Sequence, residues 1–214
     1  GDRLLFKLGT PGRHLAMNAM AVLAAVEAVG ADVAQAAMRL GRWSAPDGRG
    51  ARWRIRLGQA AIDGSLLLID DAYNANPTSM AAAFDVLDAA EPKNGIGRVA
   101  KGRRVAFLTD MLELGPDAER HHPALADLRA IERIDRIHCA GPLMRALHKA
   151  LPPSRRGEWY ATADELAARA GRLLDAGDVA LVKGSKGSRA SRVVDAVLKL
   201  GQAVPAQSTE DEDA

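Results

Sequence analysis

From residue 104 onward, short apolar runs alternate with longer amphipathic runs four times along the chain. The strand-like runs lie at 104–108, 136–140, 158–160 and 179–182, and the helix-like runs at about 118–131, 142–151, 163–176 and 189–200. Short apolar strands that are each followed by a helix favour a parallel sheet, because right-handed crossovers place helices on both of its faces. The alternation therefore predicts an α/β fold whose ligands bind beyond the carboxyl ends of the strands.

The part of the chain before residue 98 mixes helical and strand periods less regularly. Helical runs lie at 14–29, 32–40 and 78–90, and strand-like runs at 3–8, 52–57 and 65–69. Small and aliphatic residues on nearly every face of 14–29 predict a buried helix, and Asp32 is expected to cap the next one. Asp63-Gly64 favours a tight hairpin turn, and Asn76-Pro77 opens the third helix because proline is tolerated in a first helical turn.

Residues 91–103 are rich in glycine and charge and show neither period. We therefore predict a domain boundary here, with a first domain over 1–97, a linker over 98–103 and a second domain over 104–200. The stretch 201–214 has no core-forming pattern and ends in acidic residues, so we expect a disordered, solvated tail.

Composition excludes several classes of protein. At 48% hydrophobic and 26% charged residues, the chain can bury a core. Its net charge of +2 lacks the clustering of a dedicated nucleic-acid binder. The apolar stretch 15–29 is too short and too polar to span a bilayer, so no membrane insertion is expected. The single cysteine, Cys139, excludes an intrachain disulfide and favours a reducing cytoplasm.

The densest motif is LLLIDDAYNANPTSM at 66–80. A buried strand delivers Asp70 and Asp71 to its end, and Tyr73, Asn74 and Asn76 follow in a loop. Polar side chains at a strand end can bind a ribose, a metal-bound water or a phosphate. The same residue types are typical of Asx turns and helix capping, so the residues alone favour neither interpretation.

Two other loops follow predicted strands. In KGSKGSR at 183–189, two glycines free backbone N–H groups to converge on an anion, so the loop resembles a phosphate or carboxylate cradle. It lacks the spacing of a Walker A loop, and a solvated Gly-Ser turn is the alternative. The loop at 109–115 carries Asp110 and Glu113 among apolar residues, and either faces a ligand or caps the next helix.

Four isolated polar positions admit both a structural and a functional interpretation. Asn18 is an amide in an apolar helix, and a base edge would satisfy its donor and acceptor together. Arg49 lies on a glycine-rich turn from which it can reach a phosphate, although a solvated arginine is the alternative. His121 and His122 point in different directions and have no third ligand at suitable spacing, so we expect no metal site.

Five stretches occur in an order that resembles the Mur ligases, the ATP-dependent amide-bond-forming enzymes of peptidoglycan assembly. They are GRHLAMNAMAVLAA at 12–25, DGR at 47–49, LLIDDAYNANPTSM at 67–80, LTDMLELG at 108–115 and LVKGSKGSR at 181–189. The form DDxYNANPxSM is most similar to the member that joins D-alanyl-D-alanine to UDP-N-acetylmuramoyl-tripeptide. The resemblance covers residues 1–200.

This resemblance implies that 1–97 is the last part of a central ATPase domain and that 104–200 is a Rossmann-like C-terminal domain. The UDP-sugar domain and the phosphate loop are not in this sequence, so no catalytic residue is assigned and we expect the isolated chain to be inactive. The family passes the γ-phosphate of ATP to the peptide carboxylate, with Mg²⁺ and cationic side chains offsetting the charge. The amine of D-alanyl-D-alanine then attacks the acyl phosphate. We expect a monomer.

The resemblance also implies site residues. On the nucleotide side, Asn18 would face adenine, Arg49 the phosphates and Asp71 the ribose. The other expected nucleotide-edge residues are Tyr73, Asn74 and Asn76, and those expected to face the dipeptide are Asp110, Met111, Lys183, Ser185 and Lys186. Lys183 is the candidate partner of the dipeptide carboxylate.

Three positions depart from the family pattern. Leu15 replaces an asparagine, Thr109 a glycine that permits close backbone approach, and Lys186 an arginine with a bidentate fork. A stand-alone nucleotide- or anion-binding module without catalysis is the alternative function. A dinucleotide-dependent oxidoreductase is disfavoured because no G-x-G-x-x-G follows any predicted strand.

Overall fold

The computed structural model describes residues 4–9, 12–58 and 64–206, and these fall into two compact units. The first unit takes the described residues up to Ala45, and the second spans Pro46–Ala206. The predicted boundary at 98–103 is therefore not where the structure divides. The predicted turn residue Asp63 and the tail residues 207–214 lie outside the described residues.

The first unit contains two helices, α1 (Arg13–Ala28) and α2 (Val33–Gly41). Asp32 caps α2 as predicted, because its side chain accepts a hydrogen bond from the Gln35 N–H at 2.9 Å. Among the α1 residues whose burial the structure describes, however, only Ala19 and Leu23 are buried, so the prediction of a helix buried on nearly every face is wrong for this unit. Residues 4–8 are not a strand, contrary to the prediction for 3–8.

The second unit is built on one sheet of seven strands. They are β1 (Ala51–Arg56), β2 (Ser65–Asp71), β3 (Arg104–Thr109), β4 (Arg136–Ala140), β5 (Arg156–Tyr160), β6 (Val179–Lys183) and β7 (Gln202–Pro205). Their order is β5-β4-β3-β6-β2-β1-β7. The five strands from β5 to β2 are mutually parallel, whereas β1 pairs antiparallel with both β2 and β7. The mainly parallel sheet confirms the predicted α/β fold class.

The helices cover both faces of this sheet. They are α3 (Pro77–Asp88), α4 (Ala118–Ala124), α5 (Met144–Ala150), α6 (Ala163–Ala167), α7 (Ala170–Leu173) and α8 (Ser191–Leu198). One core contains Phe84 of α3 and Leu147 of α5, and the opposite core contains Leu166 of α6 and Val193 of α8. Successive strand residues enter alternate cores, as a sheet covered on both faces requires.

Two predicted helices are shorter than expected. The run 118–131 is α-helical only to Ala124 and continues as two 3₁₀ segments, Leu125–Asp127 and Arg129–Arg133. Pro123 explains this change, because proline lacks the N–H that an interior helical turn needs. The run 163–176 is divided into α6 and α7.

The segment 98–103 is fastened within the second unit rather than linking two domains. Its Arg103 forms an ion pair with the buried Asp178 at 2.6 Å, and its Val99 N–H donates to Asp175 at 2.8 Å. The sheet shows the same thing more directly. Strand β2 lies before this segment and pairs with β6, which lies after it, so the residues on both sides of 98–103 belong to one sheet. Residues Gln202–Pro205 also pair with β1, so the predicted tail is wrong over these four positions.

A topological switch point of the sheet lies between β2 and β6. β2 leads to α3 on one face of the sheet, whereas β6 leads to α8 on the other face. Neighbouring parallel strands whose chains leave toward opposite faces open a crevice at their carboxyl ends. The loops after β2, β3 and β6 therefore meet at one edge, as predicted. No helix in the described part of the chain has the length and apolarity needed to cross a bilayer.

Candidate functional site at the carboxyl edge of the sheet

Asp70 attaches the turn that carries Arg49 to the end of β2. Its carboxylate accepts hydrogen bonds from the Gly48 N–H at 2.8 Å and the Ala72 N–H at 3.2 Å. Burial raises the pKa of Asp70, and these two N–H donors oppose that rise. Sequence reasoning noted Asp70 at the strand end but did not give it this role.

Gly48 completes this attachment. Its carbonyl accepts the Tyr73 N–H at 2.9 Å, and its φ of 74° lies in the left-handed region that favours glycine. A Cβ atom at this position would also lie 3.1 Å from the Cβ of Tyr73. The turn and the loop after β2 therefore form one bonded assembly.

Two cations converge on the ring of Tyr73. The Arg49 guanidinium carbon lies 4.1 Å from the ring centroid, and the Lys186 ammonium lies 5.8 Å from it. All three side chains are exposed, with 44% of Tyr73 accessible. We call these residues the cationic cluster. The structure thus brings together a predicted phosphate contact, a predicted nucleotide-edge residue and a predicted dipeptide contact.

Lys183 does not occupy the position that was predicted for it. Its side chain is 2% exposed, and its ammonium donates to Asp71 at 2.7 Å and to the Asn74 carbonyl at 2.9 Å. A buried ammonium needs such partners, because removing it from water is costly. In this structure the Lys183 ammonium is paired with Asp71, and its predicted pairing with a dipeptide carboxylate stays a prediction.

Ser185 connects the loops after β3 and β6. Its N–H donates to the Asp110 carbonyl at 3.1 Å, and its Oγ accepts the Leu112 N–H at 2.9 Å. The same Oγ donates to the Ala75 carbonyl at 3.4 Å, which reaches the loop after β2. Ser185 is buried, so its side chain holds three loops together instead of facing solvent.

Asp110 and Met111 are buried as well. Asp110 accepts the Met144 N–H at 2.8 Å, and burial raises its pKa against the opposing effect of the Met144 and Leu143 N–H donors. Of the five residues predicted to face the dipeptide, only Lys186 is exposed. We call Asp71, Asp110, Lys183 and Ser185 the supporting layer, because their polar atoms bond to neighbouring loops.

Gly184 and Thr109 make a close contact between β6 and β3. A Cβ atom on Gly184 would overlap the Thr109 hydroxyl, so no side chain fits there. That hydroxyl lies 2.6 Å from the Ser188 Oγ, which in turn donates to the Ser185 carbonyl at 2.6 Å. Thr109, which departs from the family pattern, thus forms a hydrogen bond to the loop after β6.

The two asparagines of the loop after β2 are exposed but have local roles. Asn76 caps α3, because its Oδ1 accepts the Ser79 N–H at 2.8 Å while the Ser79 Oγ accepts the Asn76 N–H at 3.0 Å. Asn74 accepts the Ala75 N–H at 2.8 Å. The capping interpretation, which sequence reasoning left open, is the one seen for Asn76.

His122 is a site residue that sequence reasoning missed. It is fully buried, and its Nε2 accepts the Met111 N–H at 3.0 Å. Its Nδ1 lies 2.6 Å from the Ala118 carbonyl, so the hydrogen-bond network assigns the proton to Nδ1. His122 had been considered only as a metal ligand. Its position four residues after Ala118 on one helix was the signal for this bond.

Asn18 and Cys139 complete the predicted positions. Asn18 lies on α1 in the first unit and is exposed, so the expectation that burial would demand a partner is wrong. Cys139 is fully buried, which raises the pKa of its thiol and makes it unreactive. Within residues 4–9, 12–58 and 64–206, no three His, Cys, Asp or Glu residues are placed to hold a metal ion.

Comparison with known proteins identifies the family. Residues 53–186 match the family model described as Mur ligase, glutamate ligase domain. The chain belongs to the Mur ligase family. The matched region runs through the predicted linker at 98–103, in keeping with the single sheet of the second unit.

Similar proteins are longer than this chain. UDP-N-acetylmuramoyl-tripeptide–D-alanyl-D-alanine ligase of Escherichia coli (strain K12) is 34% identical over 196 residues, which are 91% of this chain and 39% of the relative. The enzyme of the same name from Bacillus subtilis (strain 168) is 30% identical over 186 residues, 86% of this chain and 37% of the relative. The chain thus spans about two fifths of the length of these curated relatives.

Solved structures show the same fold. MurF from Acinetobacter baumannii superposes with a TM-score of 0.68 at 25% identity, over 91% of this chain and 39% of that one. MurF ligase from Thermotoga maritima, solved in complex with ADP, superposes with a TM-score of 0.68 at 20% identity, over 90% of this chain and 39% of that one. The Rossmann-like character expected of the sheet is consistent with these neighbours.

Proposed function

We propose that this chain forms part of an ATP-dependent ligase that joins D-alanyl-D-alanine to UDP-N-acetylmuramoyl-tripeptide in the cytoplasm. Membership of the Mur ligase family and the names of the relatives support this proposal. The observation that carries it is the cationic cluster, which presents two positive charges and an aromatic ring at the carboxyl edge of the sheet.

The proposed reaction proceeds in two steps. The peptide carboxylate attacks the γ-phosphorus of ATP, forming an acyl phosphate and releasing ADP. The amine of D-alanyl-D-alanine then attacks the acyl carbon, the bond from that carbon to the phosphate oxygen breaks, and the amine loses a proton. The products are the amide and inorganic phosphate.

Negative charge accumulates when the triphosphate approaches a carboxylate. Arg49 and Lys186 are exposed at the sheet edge, and we assign them to offset this charge. Arg49 would contact the phosphates, as the family resemblance implies. Lys186 lies on the loop after β6 and would face the transferred phosphate or the incoming dipeptide.

The nucleotide would lie along the end of β2. We assign Asp71 to the ribose, because a quarter of its side chain remains exposed beside the cationic cluster. Tyr73 and Asn74 would line the nucleotide edge, and Asn76 would act indirectly by starting α3. Asn18 stays our prediction for the adenine.

The dipeptide would approach the loops after β3 and β6. Asp110, Met111 and Ser185 are buried, so their contribution is to fix the backbone that borders this approach. The described residues include no group of three His, Cys, Asp or Glu that could hold a metal ion, so Mg²⁺ is assigned to no residue of this chain and no step is derived through it.

The alternative is a nucleotide- or anion-binding module that performs no reaction. Both functions use the cationic cluster, and they differ in whether binding leads to ligation. The test is phosphate release by the ligase that contains this chain, assayed with ATP, UDP-N-acetylmuramoyl-tripeptide and D-alanyl-D-alanine together and with each omitted in turn. We expect release and amide product only with all three, whereas ATP binding without product would favour the alternative. The 214-residue chain by itself should bind ATP weakly and hydrolyse none.

A further inference from the structure

Lys183 and Asp71 face each other across the boundary between β6 and β2. They are directly paired in the parallel register of these strands, and their charged groups lie 2.7 Å apart. The lysine is enclosed, with 2% of its side chain exposed, whereas 25% of the Asp71 side chain is exposed. The pair therefore has an inner cationic end and an outer anionic end.

The lysine also fixes the backbone of the loop after β2. Its second hydrogen bond, to the Asn74 carbonyl at 2.9 Å, lies one residue beyond Tyr73, which contacts Arg49. Charge-assisted hydrogen bonds of this kind are stronger than neutral ones. One ammonium thus orients the Asp71 carboxylate and holds the loop that presents the cationic cluster.

Exposure distinguishes Lys183 from the other cations at this edge. Arg49 and Lys186 are open to solvent and can meet a ligand directly. Lys183 is enclosed, and its ammonium bonds to the Asp71 carboxylate and the Asn74 carbonyl. A direct contact with a ligand would require breaking the ion pair and exposing the lysine.

We infer that Lys183 is a positioning residue that orients Asp71 and the loop after β2 for the nucleotide, and that it does not bind the dipeptide. This inference rests on the proposed function through the assignment of Asp71 to the ribose. It reverses the role that the family resemblance implied for Lys183. It also makes a distinctive prediction, because a residue that acts partly through Asp71 has a smaller effect once Asp71 is changed.

The test is a double-mutant cycle in the ligase that contains this chain. Asp71→Asn, Lys183→Met and the double variant are titrated with ATP and assayed for KM toward D-alanyl-D-alanine. We expect Lys183→Met alone to weaken ATP binding about tenfold, the scale of one charge-assisted hydrogen bond. In the Asp71→Asn background the same change should weaken ATP binding by clearly less than tenfold, because only the bond to the Asn74 carbonyl is then lost. The dipeptide KM should stay within about twofold throughout. Lys199→Met, at an exposed lysine that follows α8, is the matched control.

Equal weakening of ATP binding in both backgrounds, or a dipeptide KM that rises with Lys183→Met, would overturn the inference. If Lys183→Met alone fails to fold, the comparison of Asp71→Asn with the double variant decides: a higher dipeptide KM in the double variant would overturn the inference, and an unchanged KM would support it. Thermal unfolding checks that both variants fold, because Asp71→Asn leaves the buried Lys183 ammonium without its carboxylate. If the unchanged protein ligates and Lys183→Met weakens ATP binding equally in both backgrounds, the inference is refuted and the proposed function stands. If Lys183→Met weakens ATP binding less in the Asp71→Asn background but the unchanged protein does not ligate, the proposed function is refuted and the inference is supported.

Discussion

The cationic cluster and the supporting layer lie at the same sheet edge and are rich in the same residue types, yet their polar atoms have different partners. Arg49, Tyr73 and Lys186 are exposed and contact one another through the ring. Lys183 and Ser185 are buried and bond to backbone or side-chain atoms of neighbouring loops. A polar residue at a strand end can therefore either hold neighbouring loops together or contact a ligand, and its burial distinguishes the two roles.

This difference predicts that changes beneath the cluster reduce stability, with or without a loss of binding, whereas changes in the cluster reduce ligand binding alone. Gly184→Ala should have the largest effect on stability, because the new methyl group would overlap the Thr109 hydroxyl. We expect a loss of about 3 kcal/mol in the free energy of unfolding, measured by urea denaturation. Gly187→Ala is the control, since its Cβ would meet only the end of the Leu112 side chain at 2.9 Å. A loss of stability for Gly184→Ala that is no larger than that of the control would contradict the difference between the cationic cluster and the residues beneath it.

Tyr73→Ala should weaken ATP binding about fivefold in the ligase that contains this chain, because the ring that orients Arg49 is removed. Tyr73→Phe retains the ring and should bind ATP nearly as the unchanged protein does. Isothermal titration measures both variants, and thermal unfolding should show little change in either. Equal loss of affinity in the two variants would mean that the hydroxyl, and not the ring contact, is what matters.

The smallest effect is a pH dependence from the supporting layer. Burial raises the pKa of Asp110 above its ordinary value of 3.8, so the folded protein holds this proton more tightly than the unfolded chain. The resulting stabilisation is fully present below the unfolded pKa and is lost as pH rises through the folded pKa. The stability of the unchanged protein relative to Asp110→Asn should therefore fall as pH increases.

Urea denaturation of both proteins, at pH values from below 3.8 upward, measures that difference in stability. Asp85→Asn, at an exposed position on α3, is the control for the loss of one surface carboxylate. A stability difference that grew with pH would contradict the assigned effect of burial on Asp110.

The local pattern of the sequence predicts the strands and helices well, because hydrophobic periodicity depends on neighbouring residues. The run 136–140 matches β4 at both ends, and the run 104–108 differs from β3 by one residue. The domain boundary was wrong because it depends on pairing between β2 and β6, whose residues are more than a hundred positions apart. Gln202–Pro205 carries no periodicity of its own and is a strand because β1 offers it an edge.

The sequence predicts that these side chains gather at one sheet edge, as the structure has them, whereas their roles toward a ligand stay predictions. Asp71, Tyr73 and Lys186 meet at the expected edge, because the carboxyl ends of parallel strands lie together. The prediction for Lys183 depends on the glycine-rich loop that it precedes. Lys183 is nevertheless the last residue of a buried strand, which accounts for its burial. Asp70 and His122 bond to backbone N–H groups of other segments, and such contacts leave little trace in the local sequence.

The most direct measurement is the kcat/KM for ligation of D-alanyl-D-alanine by the ligase that contains this chain, before and after the double change Arg49→Ala and Lys186→Ala. We expect the double variant to unfold at nearly the same temperature, because both side chains are exposed. Its kcat/KM should fall at least about a hundredfold, since two cations that offset transition-state charge are lost. An unchanged kcat/KM in a folded double variant would contradict the assignment of the cationic cluster to the reaction.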